Sequence, residues 1–172
     1  MPVLRTPLVP IDDGVIALRR CAQTDLGAFE AAAQPGGNDG IWVIPVAGGP
    51  AGQLAAHVSS WPVGPALAIA RSADDQLVGI VYFTVRGAGS VELSYGVAPA
   101  HRGQGIATRA ARLAAAWALR EGWDRVELRI ADNAAASRRV AVKAGFAEAG
   151  RVRTRVASAG GEFEDCLYVM RR

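Results

Sequence analysis

Apolar residues recur along this chain in two alternating periods, and their order predicts a fold before any single residue is considered. Val15-Ile16-Ala17-Leu18-Arg19-Arg20 reads as a first strand, after which Thr24-Asp25 resembles an N-cap with an acidic first turn, opening a short helix to about Ala33. The β-rich apolar runs Ala66 to Ala70 and Leu77 to Val85 flank Ser72-Ala73-Asp74-Asp75, which predicts an antiparallel hairpin with a four- or five-residue turn. Gly87-Ala88-Gly89 then leads into Val91 to Val97. There Val91, Leu93, Tyr95 and Val97 alternate with Glu92, Ser94 and Gly96, so the strand has an apolar face and a polar or small one. Ile106, Ala110, Leu113 and Trp117 return at helical spacing, with Ala107, Ala111, Ala114 and Ala118 beside them and Arg109, Arg112 and Arg120 opposite. Gly122 suits the stop of that helix, and Arg125 to Ile130 forms the next strand. Asp132-Asn133 can cap a second helix to about Ala144, ended by Gly145-Phe146. Ala147 to Val156 and Phe163 to Met170, joined by Ser158-Ala159-Gly160-Gly161, predict a closing pair of strands. The predicted order is β-α-(α)-β-β-β-α-β-α-β-β, a mixed α/β layer.

Residues 34–65 interrupt this regularity. The stretch is rich in Gly and Pro and carries Trp42, His57 and Trp61, with one helix-like segment near Ala51 to Ser59. Irregular stretches of this length in compact domains often shape binding sites, so Trp42 and Trp61 are candidate walls of a substrate pocket or plain covers of the core edge.

Composition narrows the class. At 172 residues, 51% hydrophobic and 20% charged, the chain fits a globular protein built as one domain over residues 1–172. Its apolar runs are broken well short of the roughly 20 residues a membrane span needs, and the N-terminus lacks a basic-then-apolar leader pattern. A cytoplasmic location is therefore expected, with no membrane partner. Cys21 and Cys166 have neither metal-ligand spacing nor the density of a disulfide scaffold, so buried thiols and no metal are expected. A net charge of +3 hints at anionic partners, yet the arginines are scattered and Lys143 is the sole lysine. Nucleic acid is not the expected partner. Arginines near a phosphate-bearing cofactor account for the balance as well.

Candidate chemistry lies between the third central strand and its helix, in Val97-Ala98-Pro99-Ala100-His101-Arg102-Gly103-Gln104-Gly105-Ile106-Ala107-Thr108. Two glycines permit close backbone approach, and a helix N-terminus offers unpaired N–H groups at the positive end of its dipole. A diphosphate suits such a place, with Thr108 and Arg102 available for further contacts; a tight structural turn is the plain alternative. The pattern is neither the Rossmann Gly-x-Gly-x-x-Gly nor the Gly-Lys-Ser/Thr phosphate loop.

It resembles instead the Arg/Gln-x-x-Gly-x-Gly/Ala signature of the GNAT superfamily of N-acetyltransferases, through Arg102, Gly105 and Ala107. Downstream, Asn133-Ala134-Ala135-Ala136-Ser137 to Lys143-Ala144-Gly145-Phe146 resembles that family's Asn-x-x-Ser...Lys-x-Gly-Phe segment. Within the superfamily, Glu92 to Val97, Ser137 and Phe163 to Tyr168 look most like the RimJ/RimL-like branch that acetylates ribosomal proteins. The resemblance covers roughly residues 77 to 170. It implies an α/β fold with a mixed, mostly antiparallel sheet, helices on both faces and central strands splayed apart by a bulge with which Gly96 is compatible, relief of crowding being the other explanation of that glycine. It implies acetyl-CoA as co-substrate, with Val97 and Ala98 contacting the pantetheine arm and the Arg102, Gly103, Gln104, Gly105, Ile106, Ala107 and Thr108 loop holding the diphosphate. Asn133 matches the asparagine that binds the pantetheine amide or an ordered water, though helix capping explains it as directly. A homodimer is the implied assembly.

Acetyl transfer to an amine needs a neutral amine, a stabilised oxyanion and a proton for the leaving thiolate. Glu92 matches the family's acidic strand position and can take the amine proton through a water; a surface ion pair is its other explanation. A main-chain N–H near Gly96 or Val97 suits the oxyanion. For the thiolate, many relatives use a helix tyrosine where this chain has Ala141; the RimJ/RimL-like resemblance instead implies Ser137 near the sulfur, where it can donate a hydrogen bond, an ordinary helix serine being its other explanation. Tyr95 is a further candidate for acceptor binding. Neutralising a lysine amine at pH 7 costs about 4.6 kcal/mol, against roughly 1 kcal/mol for an α-amine. A sparsely equipped site therefore points to a protein or peptide N-terminus, or a small amine of low pKa. Two other readings stay open: a non-catalytic acyl-CoA sensor, suggested by Ala141, and an enzyme for a bulkier donor such as succinyl-CoA, with Arg129 as its candidate anion contact.

Overall fold

The computed structural model describes residues 7, 9–33, 48–59, 66–87, 89–156 and 161–172. Strands β1 (Ile11–Asp12) and β2 (Ile16–Arg19) are followed by a 3-10 turn over Gln23–Asp25 and the helices α1 (Leu26–Ala33) and α2 (Gly49–Ser59). Strands β3 (Ala66–Arg71), β4 (Leu77–Gly87) and β5 (Ser90–Val97) come next, then α3 (Ile106–Arg120), β6 (Arg125–Ala131), α4 (Ala135–Ala144), β7 (Ala147–Val156) and β8 (Gly161–Arg171). One sheet holds all eight strands in the order β1-β2-β3-β4-β5-β6-β8-β7, antiparallel at every junction except the parallel β5–β6 pair. The mixed α/β layer expected from the periodicity is thus present.

Alternation in the strands divides the interior in two. Leu67, Ile69, Val81, Phe83, Val91 and Leu93 face α3 and α4, meeting Ala110, Ala114, Trp117 and Ala141. Alanines dominate the buried stripe of α3, which lets its backbone lie close to the sheet. On the other face Ala66, Ala68 and Ile80 meet Phe29 of α1 and Leu54 of α2. Helices therefore cover both faces.

Two helix starts differ from expectation. Thr24-Asp25 does not cap α1; those residues form the 3-10 turn, and the Asp25 carboxylate reaches back to the Ala22 N–H at 2.8 Å and pairs with Arg19 at 2.9 Å. Asp132-Asn133 does not cap α4 either. Ala134 holds the N-cap position without a side-chain hydrogen bond, because Asp132 is drawn to Arg138 and Arg151, each at 3.1 Å. Gly145, in the left-handed region at φ +99, ends α4 as its sequence suggests.

The β5–β6 junction shapes the rest of the molecule. Pairing is confined to Ser90, Glu92 and the residue between them, against Arg125 to Glu127. From Leu93 onward β5 keeps β4 on one side and has no strand on the other among the described residues. The separation needs no register shift at Gly96: β4–β5 pairing runs unbroken from Gly79↔Val97 to Val85↔Val91, and its one irregularity lies at Val85/Gly87. The bulge implied at Gly96 is replaced by early termination of the parallel pair. Gly79 matters here, since a Cβ on it would strike the Gly96 carbonyl and stand 3.2 Å from the Val97 Cα.

Candidate active site

A cavity of about 400 Å³ opens where β5 and β6 separate, and three elements line it. Strand β5 contributes Tyr95, Gly96 and Val97. The β5–α3 connection and first helical turn contribute His101, Arg102, Gly103, Gly105, Ile106, Ala107 and Thr108. Helix α4 closes the opposite wall with Ala136, Ser137, Arg139, Val140 and Lys143. The two sequence segments singled out separately thus face each other across one space.

The loop's geometry follows from its glycines. Gly103 and Gly105 have φ +77 and +78, and nothing stands within 4 Å of where their Cβ atoms would be. Left-handed backbone at both positions is open to glycine and strained for other residues. Gly105 caps α3 without a side-chain hydrogen bond, so the first-turn N–H groups are left for a ligand or solvent. Arg102 is held at the loop entrance by its Nε, which donates to the Val97 carbonyl at 2.9 Å. His101, Arg102, Arg139 and Lys143 give the lining four basic side chains, and no carboxylate lines it among the described residues. Anionic ligands with close-lying phosphates fit this donor set.

Tyr95 and Ser137 meet at the cavity. Burial pushes the Tyr95 phenol up to about 12, and the nearby Ser137 hydroxyl offsets part of that rise. Its Oη is buried without a hydrogen bond of normal geometry, which leaves a donor of known strength to be satisfied.

Other expected site residues lie elsewhere. Ala98 packs with the second core cluster and donates its N–H to Val78 O at 2.9 Å. The Gln104 side chain folds toward Ala100 O at 3.4 Å, and Asn133 is exposed in the turn before α4; neither lines the cavity. Trp42 and Trp61 fall outside the described residues. Ala141 is fully buried against the core. Glu92 lies on the other face of the sheet from α3 and α4, its Oε2 2.7 Å from Arg86 Nε and 3.1 Å from Arg129 Nε. Beside it in the parallel register is Glu127, 3% exposed, which accepts from Ser90 Oγ at 2.6 Å and pairs with Arg125 at 2.8 Å and Arg129 at 3.5 Å. This ladder of alternating charge spans the paired half of the β5–β6 junction.

Sequence reading passed over Arg139 and Lys143, although Ala136, Val140 and Lys143 recur at the four- and three-residue steps of one helix face. It also passed over a polar trio on the α2 side, where Gln53 Nε2 lies 3.2 Å from Tyr82 Oη and 3.3 Å from His57 Nε2. Burial holds the His57 imidazole below its usual value.

Comparison with known proteins agrees with this geometry. A family model described as an acetyltransferase (GNAT) domain matches residues 16–147. None of the curated proteins matches the sequence. Among solved structures, a Vibrio cholerae protein provisionally named a ribosomal-protein-serine acetyltransferase superposes with a TM-score of 0.81 at 15% identity, over 98% of this chain and 100% of that one. A GNAT-family acetyltransferase from Bacillus anthracis gives 0.78 at 14% identity, over 95% and 98% of the two chains. The microcin C7 self-immunity acetyltransferase MccE, solved with acetyl-CoA and AMP, gives 0.74 at 16% identity over 94% of each chain. At such identities these likenesses establish the fold. The family match spans most of the chain, and the protein belongs to the GNAT acetyltransferase family.

Proposed function

We propose that this GNAT-family chain transfers an acetyl group from acetyl-CoA to a primary amine, either a protein or peptide N-terminal α-amine or a small amine of low pKa. The observation that carries the reading is the cavity at the separated half of the β5–β6 junction, with a glycine loop and helix N-terminus on one wall and Ser137 of α4 on the other. MccE, whose structure was solved with acetyl-CoA, shares this fold and supports the choice of donor.

Roles follow from position. The N–H groups of the Gly103 to Thr108 segment and the Arg102 guanidinium receive the donor's diphosphate. The pantetheine arm runs along the open side of Leu93 to Val97, where main-chain groups face no strand among the described residues. A main-chain N–H near Gly96 or Val97 stabilises the oxyanion as the amine nitrogen bonds to the acetyl carbon. The carbon–sulfur bond then breaks, and the thiolate departs beside Tyr95 and Ser137. A phenol near 12 is too weak an acid to protonate a thiolate fully, so Tyr95 stabilises it by donating a hydrogen bond. Glu92 accepts the amine proton through a water on the other face, its carboxylate oriented by Arg86 and Arg129. The family resemblance further supports a RimJ/RimL-like enzyme, working in the cytoplasm as a homodimer.

A donor-and-amine panel read by mass spectrometry tests the proposal. Acetyl-CoA should be consumed with peptide N-termini faster than with internal lysines, and Glu92→Gln should lower kcat by about 100-fold while leaving acetyl-CoA binding intact. Binding of acetyl-CoA with no thiol released for any amine would make the chain a sensor and overturn the reading. Faster use of succinyl-CoA would point to the bulkier donor.

A further inference from the structure

Glu127 is charged and buried, and no step of the transfer described above uses it. Strand β6 brings it beside Glu92, because the two are partners in the parallel register. Its two oxygens have different neighbours. Oε1 accepts from Ser90 Oγ at 2.6 Å and lies 2.8 Å from Arg125 Nε, which fixes the carboxylate on its strand. Oε2 faces Arg129 Nη2 at 3.5 Å. The same guanidinium meets Glu92 through its Nε, 3.1 Å from Oε2, without the alignment of a hydrogen bond. Arginine and a single carboxylate commonly form a parallel two-point fork that occupies both oxygens. Here the fork is divided between two carboxylates. Arg86 also approaches Oε2 of Glu92, at 2.7 Å, so both cations hold the same oxygen. Among the described residues no group donates to Oε1 of Glu92, and that side chain keeps 12% of its surface exposed.

We propose that Glu127 is a positioning residue for the transfer: by engaging the Arg129 guanidinium it stops that arginine from taking both oxygens of Glu92, and so keeps Oε1 for the water that carries the amine proton. The inference rests on the reading of Glu92 given above and deepens it. The proton passes from the amine nitrogen to the water, and from the water to Oε1, which frees the nitrogen lone pair to bond to the acetyl carbon. Glu127 and Arg129 keep their own protons throughout. A buried ion pair is seldom the most stable filling of a sheet position, since a well-packed apolar residue of similar volume does as well or better. Control of Arg129 accounts for the charge at this one.

A double-mutant cycle tests this, run with acetyl-CoA and the amine turned over fastest in the panel above. Glu127→Gln keeps the volume and an acceptor for Ser90 while weakening the hold on Arg129. Its kcat should fall about tenfold, with KM for the amine and Kd for acetyl-CoA each within about twofold of wild type. In a Glu92→Gln background the same substitution should change kcat by less than about twofold, because the oxygen being kept open is no longer a base. Removing the arginine as well should recover activity, so Glu127→Gln/Arg129→Gln should turn over at least about threefold faster than Glu127→Gln alone. If the neutral variant does not fold, Glu127→Asp takes its place: it retains the buried charge, shortens the reach to Arg129 and should lose about threefold in kcat, again only where Glu92 is present. An equal loss with and without Glu92 would make Glu127 a purely structural residue and overturn the assignment, as would a wild-type kcat in Glu127→Gln; either result leaves the acetyl-transfer reading standing. A wild-type kcat in Glu92→Gln, or no turnover of any amine, would overturn both readings.

Discussion

The two halves of the β5–β6 junction are built from neighbouring residues of the same strands and do opposite things. Between Ser90–Glu92 and Arg125–Glu127 the strands are paired, and the face away from α3 and α4 carries Glu92 and Glu127 interleaved with arginines. A few residues on, the strands part, no carboxylate lines the cavity among the described residues, and Tyr95 buries a hydroxyl without a regular partner. Where backbone pairing is complete, side-chain charge is also internally matched. Where the backbone is open, donors and cations are left in excess. Matched charge stabilises a fold and attracts little; unmatched donors cost stability and bind anions.

If that division is correct, substitutions at each half should have separable effects. The largest is expected at the loop. Gly105→Asp forces a side chain onto left-handed backbone and puts a carboxylate where the diphosphate belongs, so acetyl-CoA affinity should fall by at least about 100-fold. Calorimetry measures it, and undiminished binding would remove the loop from the site. At the paired half, Glu127→Ala leaves Arg125 and Arg129 without their shared buried partner. The unfolding free energy in urea should drop by about 2–3 kcal/mol, with acetyl-CoA affinity held within about threefold. A loss of affinity larger than the loss of stability would show that the halves are not independent. Tyr95→Phe removes a buried, unsatisfied hydroxyl. Turnover should fall about tenfold, while stability should be unchanged or rise by up to about 1 kcal/mol.

The smallest effect is a control on the α2 side. His57 is held below its ordinary 6.5 by burial, so the unfolded chain takes up this proton at a higher pH than the folded one. Stability from this group is complete above about 6.5 and is lost as the pH falls from there toward the depressed folded value. Denaturation midpoints should decline over that window in the wild type and much less in His57→Gln, with acetyl-CoA binding unaffected in either. A pH-independent midpoint in the wild type would show that the imidazole is solvated.

Most elements were legible because they rest on local rules. Alternation marked β5 and its two faces, the alanine stripe marked α3, and Gly145 marked the end of α4. Strand β1 was too short, at two residues, to show any period. The misplaced caps share one cause: Asp25 and Asp132 have local capping chemistry but find arginines that only the tertiary structure brings near. At the site, two motifs 30 residues apart, singled out through a family resemblance and the physics of a helix terminus, both contribute residues to one cavity. The pairing of Glu92 with Glu127 depends on the register of a parallel pair, which no local pattern sets. The placement of Arg139 and Lys143 at the cavity depends on which face of α4 turns toward the loop. Trp42 and Trp61 lie outside the described residues.

If the open half of the junction holds the donor as proposed, it also ties the protein's lifetime to the supply of that donor. On the proposed reading, a pantetheine arm covers the main-chain groups on the open side of Leu93 to Val97. A donor at a hundred times its Kd then adds about 2.7 kcal/mol to the free energy of unfolding. A chain deprived of donor would therefore open to proteases roughly a hundred times as often as one that is loaded. Under that regime the cellular abundance of the enzyme would itself follow the acyl-donor pool, by way of a sheet whose central seam is finished only when the co-substrate is in place.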